Sequence, residues 1–348
     1  MIHDAFRNQA DVCLSMGSPL TSLLCNMFAD NLSHDTAVER FMMDWTGDPG
    51  PSADSLPLRI CGGLHALVLS QRDARLAAHY PPHDFEQIDW PLVQSCLESH
   101  EAFLLDWMQF PPQTNEVFRS AGLWPSFMAI SKHFGLPLRL LEVGASGGLN
   151  LQADRFSYRF GDLAVGPADS EVHLEPEWRG EPPDMAPVDI AGRMACDINP
   201  LDPTDDEDAL RLRSYVWPDQ TDRCQRVAAA IDLARAHPVV VDRCEAVSWL
   251  EEKLADLPAG QCTVVYSTVA WQYLPLEDQM AGAKVIERAG AQATANNPLV
   301  HLKLEADGRK PGAGLDIRLW PDGEQMHLGR ADFHCRWVDW RGLLPDTR

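Results

Sequence analysis

Through the first 135 residues, apolar positions recur three and four apart, the spacing of one helix face. No run there alternates with the two-residue period of a strand. Helices are expected over residues 11–32, 35–45, 57–78, 90–108 and 124–134. The first is interrupted at Gly17-Ser18-Pro19, where Ser18 suits a helix cap and Pro19 the first turn of a new helix. Proline-rich loops at Asp48-Pro-Gly-Pro51, Tyr80-Pro-Pro82 and Phe110-Pro-Pro112 separate the rest. The pattern predicts an all-helical N-terminal domain or lid over residues 1–135.

From Leu138 the rhythm changes. Short aliphatic or β-branched runs at 138–143, 193–196, 239–241, 263–267 and 299–304 alternate with amphipathic segments at 148–155, 208–213, 222–236, 247–257 and 277–293. Runs that are apolar on both faces suit a parallel sheet covered by helices on two sides. After the fifth run the alternation ends. Residues 315–320 and 325–329 flank Pro321-Asp322-Gly323, which reads as an antiparallel hairpin. The expected fold of residues 136–348 is therefore α/β: a doubly wound, methyltransferase-like (Rossmann-like), mostly parallel sheet ending in an antiparallel hairpin. Residues 156–190 are expected to be an insertion, a hairpin packed on the sheet edge.

Charge narrows the partners. A formal net charge of −22 opposes nucleic-acid phosphates and anionic membrane surfaces, and no local basic patch offsets it, so the expected partner is a small molecule. The first residues lack a signal-peptide core and no apolar run is long enough to span a bilayer. Nine scattered cysteines, odd in number and without a C-x-x-C pair, predict reduced, mostly buried thiols in a cytoplasmic protein. No histidine and carboxylate spacing suggests a metal site. No feature of the pattern sets an oligomeric state.

The chemistry concentrates after the first strand, in Glu142-Val-Gly144-Ala-Ser146-Gly147-Gly148. A strand ending in a glycine turn that opens a helix offers backbone amides and a helix N-terminus to a ligand, with no side chains in the way. Two chemistries share these letters. With Glu142 as the acid at the strand end, they resemble motif I of S-adenosylmethionine-dependent methyltransferases, with Ser146 replacing the middle glycine. As Gly144-x-Ser146-x-Gly148 they match the nucleophile elbow of α/β-hydrolases. That elbow normally follows several earlier strands, and everything upstream of Ser146 reads as helical. The order of elements therefore favours the cofactor reading.

Other candidates follow from position. A ribose usually meets an acid at the end of the second strand, about 20 residues on. Asp162 has that spacing, but Asp197 ends a better strand and is preferred; its blander role is a turn carboxylate. After the third strand, Glu245 or Asp242 stands in the loop where methyltransferase-like folds commonly put an acid on the adenine amino group; the blander reading is a solvated loop acid. The acidic cluster at 205–208 reads as a helix N-terminus complementing the dipole. After the fourth strand, Ser267 can hydrogen-bond a ligand, and Trp271 and Tyr273 can wall a pocket or serve as core. Glu305, ending the fifth strand, is placed as a base or cation contact. A Ser146 triad would need a late histidine, His301, His327 or His334, with Glu305 or Asp307 orienting it.

Gly17-Ser-Pro19-Leu20, Leu141-Glu-Val-Gly-Ala-Ser-Gly-Gly-Leu-Asn150, Asp197-Ile-Asn-Pro200, Val216-Trp-Pro-Asp219 and Tyr266-Ser267 together resemble a bacterial family, domain of unknown function 2332. The likeness runs over nearly the whole chain. It implies a methyltransferase-like C-terminal half and carries no established reaction. The family tends to have a Gly-Asp pair where this chain has Arg243-Cys-Glu245. These resemblances imply S-adenosylmethionine as cofactor, held by Glu142, Gly144, Ser146, Gly147, Gly148, Asn150, Asp197 and Glu245. The weaker catalytic candidates are Ser267, Tyr273, Glu305 and His334. The expected activity is methyl transfer to a small molecule, with a serine hydrolase using Ser146 or a non-catalytic metabolite binder as alternatives.

Overall fold

Ser18 separates two helices, as its side chain allows. In the computed structural model, which describes residues 1–51 and 53–342, helices span Ile2–Ser15 and Pro19–Asn31, with Ser18 at the N-cap of the second and Pro19 in its first turn. Helices Ala37–Met43, Leu56–Leu69, Ala74–Ala77, Trp90–Ser99 and Glu101–Trp107 follow. The expected helix over 57–78 is broken at Gln71, in the left-handed region at φ 57°, and restarts where Asp73 accepts from the Arg75 and Leu76 amides. The one over 90–108 breaks at His100. Apolar spacing runs across both breaks, so periodicity alone joins the pieces.

These helices form one unit, Met1–Thr114 together with Asp205–Ala228. Its core includes Phe6, Phe28, Leu64, Leu97 and Met108, all fully buried. The late segment belongs here because Asp219 caps the second helix. Its Oδ1 accepts from Ser18 Oγ at 2.6 Å and its Oδ2 from the Leu20 amide at 2.7 Å, across 201 positions of sequence. Two of the segments that carry the family resemblance, at 17–20 and 216–219, are therefore structural partners. Asp219→Asn leaves one of these donors without its carboxylate acceptor. It is expected to cost about 1–3 kcal/mol, read by denaturant unfolding; a change below about 0.5 kcal/mol, the range of ordinary surface substitutions, would show that the carboxylate does not hold the two segments together.

The second unit, Asn115–Thr204 with Ala229–Arg348, contains the sheets. Its strands are β1 Leu138–Val143, β2 Ser157–Phe160, β3 Leu163–Val165, β4 His173–Leu174, β5 Glu177–Arg179, β6 Ile190–Asp197, β7 Val241–Arg243, β8 Cys262–Thr268, β9 Leu299–Glu305, β10 Ala313–Trp320, β11 Glu324–Ala331 and β12 Trp337–Trp340. Nine of them make one sheet in the order β5-β12-β11-β10-β9-β8-β1-β6-β7. β7, β6, β1, β8 and β9 are parallel, and β10, β11 and β12 continue as an antiparallel meander. The α/β class and the C-terminal hairpin are as expected. The chain leaves β1 toward β6 on one side and later returns to β8 on the other, so strand order reverses at β1. In open α/β sheets, ligands bind outside the carboxyl ends of the strands at such a reversal.

Period-two alternation assigns the faces. Leu141, Val143 and Val265 join a cluster with Trp249, Leu250 and Ile286, from helices Ala246–Lys253 and Leu276–Gly290. On the other face Tyr266 meets Phe127 of helix Ser120–Phe134, ring centroids 5.4 Å apart. That helix thus belongs to the sheet's unit, although the change of rhythm at 135 had grouped it with the helices before it.

The insertion is more elaborate than a single hairpin. β2 and β3 form the hairpin, but with β4 they make their own small sheet, and only β5 adds to the edge of the large one, beside β12. The third parallel strand starts at Val241 instead of 239, and Val240 is largely exposed. Among the described residues no helix is long and apolar enough to cross a membrane. All nine cysteines are free thiols, and seven of them are buried.

Candidate functional site

The turn after β1 is drawn tightly onto β6. The amides of Gly144 and Ala145 both donate to the Cys196 carbonyl, at 2.9 and 3.1 Å. Gly144 has φ +71° and Ser146 φ +54°, both left-handed. A Cβ on Gly144 would lie 2.5 Å from the Ala270 Cβ, so only glycine fits. Of the turn residues 144–148, Gly144 alone is exposed.

The expected cradle of free amides is mostly spent within the turn. Ser146 N–H donates to Asp197 Oδ2 at 2.8 Å, Gly148 N–H to the Ala145 carbonyl and Leu149 N–H to Asn115 Oδ1 at 2.9 Å. The element that follows is a short 3-10 segment, Leu149–Arg155, and not the expected α-helix. Its N-terminus is closed by Asn115, a residue that no motif marks. Asn150 is buried and works as a brace: its Oδ1 accepts from Ser120 Oγ at 2.8 Å and its amide donates to the Glu116 carbonyl.

Asp197 ends β6, beside the turn. Its second oxygen accepts from the Asn199 amide at 2.9 Å, so the carboxylate holds two loops in place and is half-buried. Ile198, next to it, is 66% exposed, an apolar surface at the carboxyl edge that sequence reasoning passed over. Asp162, by contrast, is exposed at the tip of the β2–β3 hairpin, in the small sheet and not the large one.

Glu142 lies under the turn. It pairs in register with Tyr266 of β8, whose hydroxyl donates to its Oε2 at 3.1 Å. It is 1% exposed, and burial pushes its carboxyl up to about 8, against the Tyr266 hydrogen bond; Asp197 nearby adds to the rise and Arg119 opposes it. Arg119 reaches this edge by donating to the Thr268 and Phe333 carbonyls, at 3.0 and 2.9 Å. A neutral carboxylic acid at the reversal point can donate as well as accept a hydrogen bond, and buried acids with shifted titration cluster at functional sites.

The candidates after β8 and β9 lie on the opposite face. Val265 pairs with His301 and Ser267 with Lys303, which puts Ser267, His301 and Glu305 on the face of the Trp249–Ile286 cluster, away from Glu142. Ser267 is buried and its hydroxyl has no hydrogen-bond partner among the described residues. Glu305 caps a turn: its Oε1 accepts from the Ala270 and Trp271 amides, both at 3.0 Å. Trp271 is core and Tyr273 is 71% exposed.

The remaining candidates sit apart. Glu245 is an exposed helix N-cap residue, and Asp242 accepts from the Trp249 indole at 2.8 Å. His301 packs 5.6 Å from the Trp271 ring, and burial pushes its imidazole down to about 3. His327 bonds Asp316, and His334 lies in the β11–β12 turn, its amide donating to Asp332. Of the proposed binding residues, the structure therefore groups Glu142, Gly144, Ser146 and Asp197, and adds Arg119 and Ile198.

Residues 3–340 fit the family described as "Uncharacterized protein conserved in bacteria (DUF2332)". No curated protein and no solved structure matches the chain.

Proposed function

Because the chain belongs to the DUF2332 family, whose description assigns no reaction, we propose a function from the site itself: binding of S-adenosylmethionine at the carboxyl edge of β1 and transfer of its methyl group to a small molecule. One observation carries this reading. At the reversal of strand order, the exposed main chain of Gly144 lies at the end of β1, and the next strand ends in the half-buried Asp197 and the exposed Ile198. A carboxylate can accept from ribose hydroxyls through the lone pairs its two amide contacts leave open, and an exposed isoleucine offers a flat apolar surface to a base.

The cofactor would supply an activated methyl on a sulfonium. The chain's part is to bind, align and exclude water, and methyl transfer needs little else. Glu142, Ser146 and Arg119 shape the floor of that site. Calorimetric titration with S-adenosylmethionine and with its demethylated product tests the proposal. Ile198→Ser changes an exposed side chain, so it should leave folding within about 0.5 kcal/mol of the parent while weakening binding about tenfold. Absence of heat and of thermal shift at millimolar ligand would remove the cofactor reading.

A second reading rests on Ser146. Its left-handed backbone on a sharp strand-to-helix turn is the strained setting of a nucleophile elbow. A fluorophosphonate probe that labels the chain, but not Ser146→Ala, would favour a hydrolase instead.

A further inference from the structure

Helix Leu56–Leu69 carries two adjacent glycines in its interior, Gly62 and Gly63. Glycine is the least favourable helix residue apart from proline, so this position calls for a reason. The reason is two rings. A Cβ at Gly62 would lie 2.5 Å from the Tyr215 ring, and one at Gly63 would lie 2.9 Å from Leu104 and 3.2 Å from Trp107. Helix stability is given up to seat Tyr215 and Trp107 against the backbone.

Those rings carry polar atoms that the protein leaves unused. Trp107 Nε1, Tyr215 Oη and Arg211 Nη1 are buried and have no hydrogen-bond partner among the described residues. The Arg211 guanidinium is stacked between Trp107 and Phe110, 4.4 Å from each ring centroid. Arg59, also buried, donates only to the backbone carbonyls of Asp54 and Met108. The Trp107 and Tyr215 ring centroids lie 6.0 Å apart. Burial pushes the Tyr215 hydroxyl up to about 12, and the two guanidiniums and the Trp107 indole oppose that rise at close range. Phenylalanine would fill the same volume without an orphaned hydroxyl, so packing does not account for this set.

We propose that Arg59, Trp107, Arg211 and Tyr215 form a second binding site, within the helical unit, for the carboxylate group of a small molecule. Among the described residues neither buried guanidinium donates a hydrogen bond to a carboxylate, and three buried polar atoms without partners are costly. The outer edge selects the anion. Arg211 Nη2 already faces Glu207 at 3.7 Å and Asp106 at 3.9 Å, so a doubly charged phosphate meets repulsion that a singly charged carboxylate meets less. Two planar oxygens also suit a guanidinium and an indole N–H side by side. The site uses none of the residues at the β1 edge and stands independently of the function proposed there.

The test is local. In protein labelled with nitrogen-15 at the tryptophan indoles, with the Trp107 resonance identified through Trp107→Phe, acetate is titrated against chloride at equal ionic strength. Acetate should shift the Trp107 indole saturably, and chloride should not. Arg211→Gln should abolish the shift. Tyr215→Phe removes an unpartnered hydroxyl, so it should melt no lower than the parent, yet bind acetate about tenfold more weakly through loss of one donor to a charged acceptor. A Trp107 resonance unmoved by acetate, moved equally by chloride, or moved by inorganic phosphate alone would overturn the proposal. So would unchanged acetate affinity in Tyr215→Phe.

Discussion

Gly144→Ala is expected to lose about 2–5 kcal/mol of folding stability, as about 1–2 kcal/mol from a non-glycine in the left-handed region plus about 1–3 kcal/mol from overpacking. The first part follows from φ +71° and the second from the 2.5 Å approach of a new Cβ to the Ala270 Cβ. The two can be separated within the same unit. Gly135, at the C-cap of helix Ser120–Phe134, has φ +63°, and among the described residues, chain neighbours aside, nothing lies within 4 Å of its virtual Cβ. Gly135→Ala should therefore show the backbone part alone, about 1–2 kcal/mol. The excess at Gly144 should vanish in Gly144→Ala/Ala270→Gly, because among the described residues, chain neighbours aside, Ala270 alone comes within 4 Å of that Cβ. Denaturant unfolding of the parent, Gly144→Ala, Ala270→Gly and the double variant closes the cycle, with Gly135→Ala measured beside it. If the double variant recovers nothing, the loop after β8 does not rest on the turn. Ligand binding at β1 should fall with Gly144→Ala even where the fold survives, since the added methyl group displaces the exposed main chain.

How much of this was legible depended on what kind of signal a residue leaves. β1, β8, β9 and the β10–β11 hairpin were placed within two residues at either end, because short aliphatic runs bounded by turns have few alternative readings. The α/β class followed from alternation, and with it the place of the glycine turn at the end of the first strand. What the letters could not show was sidedness. A run that is apolar on both faces carries no mark of which residue faces which helix, so Glu142 and Ser267 were credited to one site while the register puts them on opposite faces. Glu305 and Asn150 look like chemistry in a linear reading and prove to be a cap and a brace. Asn115 and Arg119 were invisible, because their partners lie 34 and 149 or more positions away. The reach of the segment at 205–228 back to the helices was hidden for the same reason. Its contact residues, Asp219 and Tyr215, meet a serine-proline helix start and a glycine pair inside an apolar helix, neither of which names its partner.

Glu142→Gln is expected to change how stability depends on pH, in a window set by the two states of one carboxyl. An unfolded glutamate titrates near 4.5, and native Glu142 is raised to about 8 by burial. The native state thus keeps a proton that the unfolded chain releases. The stability that proton confers is fully present below about pH 4.5, falls as pH rises toward about 8, and falls no further above that. At about 1.36 kcal/mol for each unit separating the two states, the loss is on the order of 5 kcal/mol. Glutamine keeps the shape of the neutral acid and an oxygen for the Tyr266 hydroxyl, but has no proton to lose. The variant should match the parent near pH 4 and become progressively more stable than it toward pH 8. Other carboxylates titrate alike in both proteins, so the difference between the two unfolding curves isolates this one group. Parallel curves across the window would mean that Glu142 is already ionised in the native state, with Arg119 outweighing burial at the end of β1.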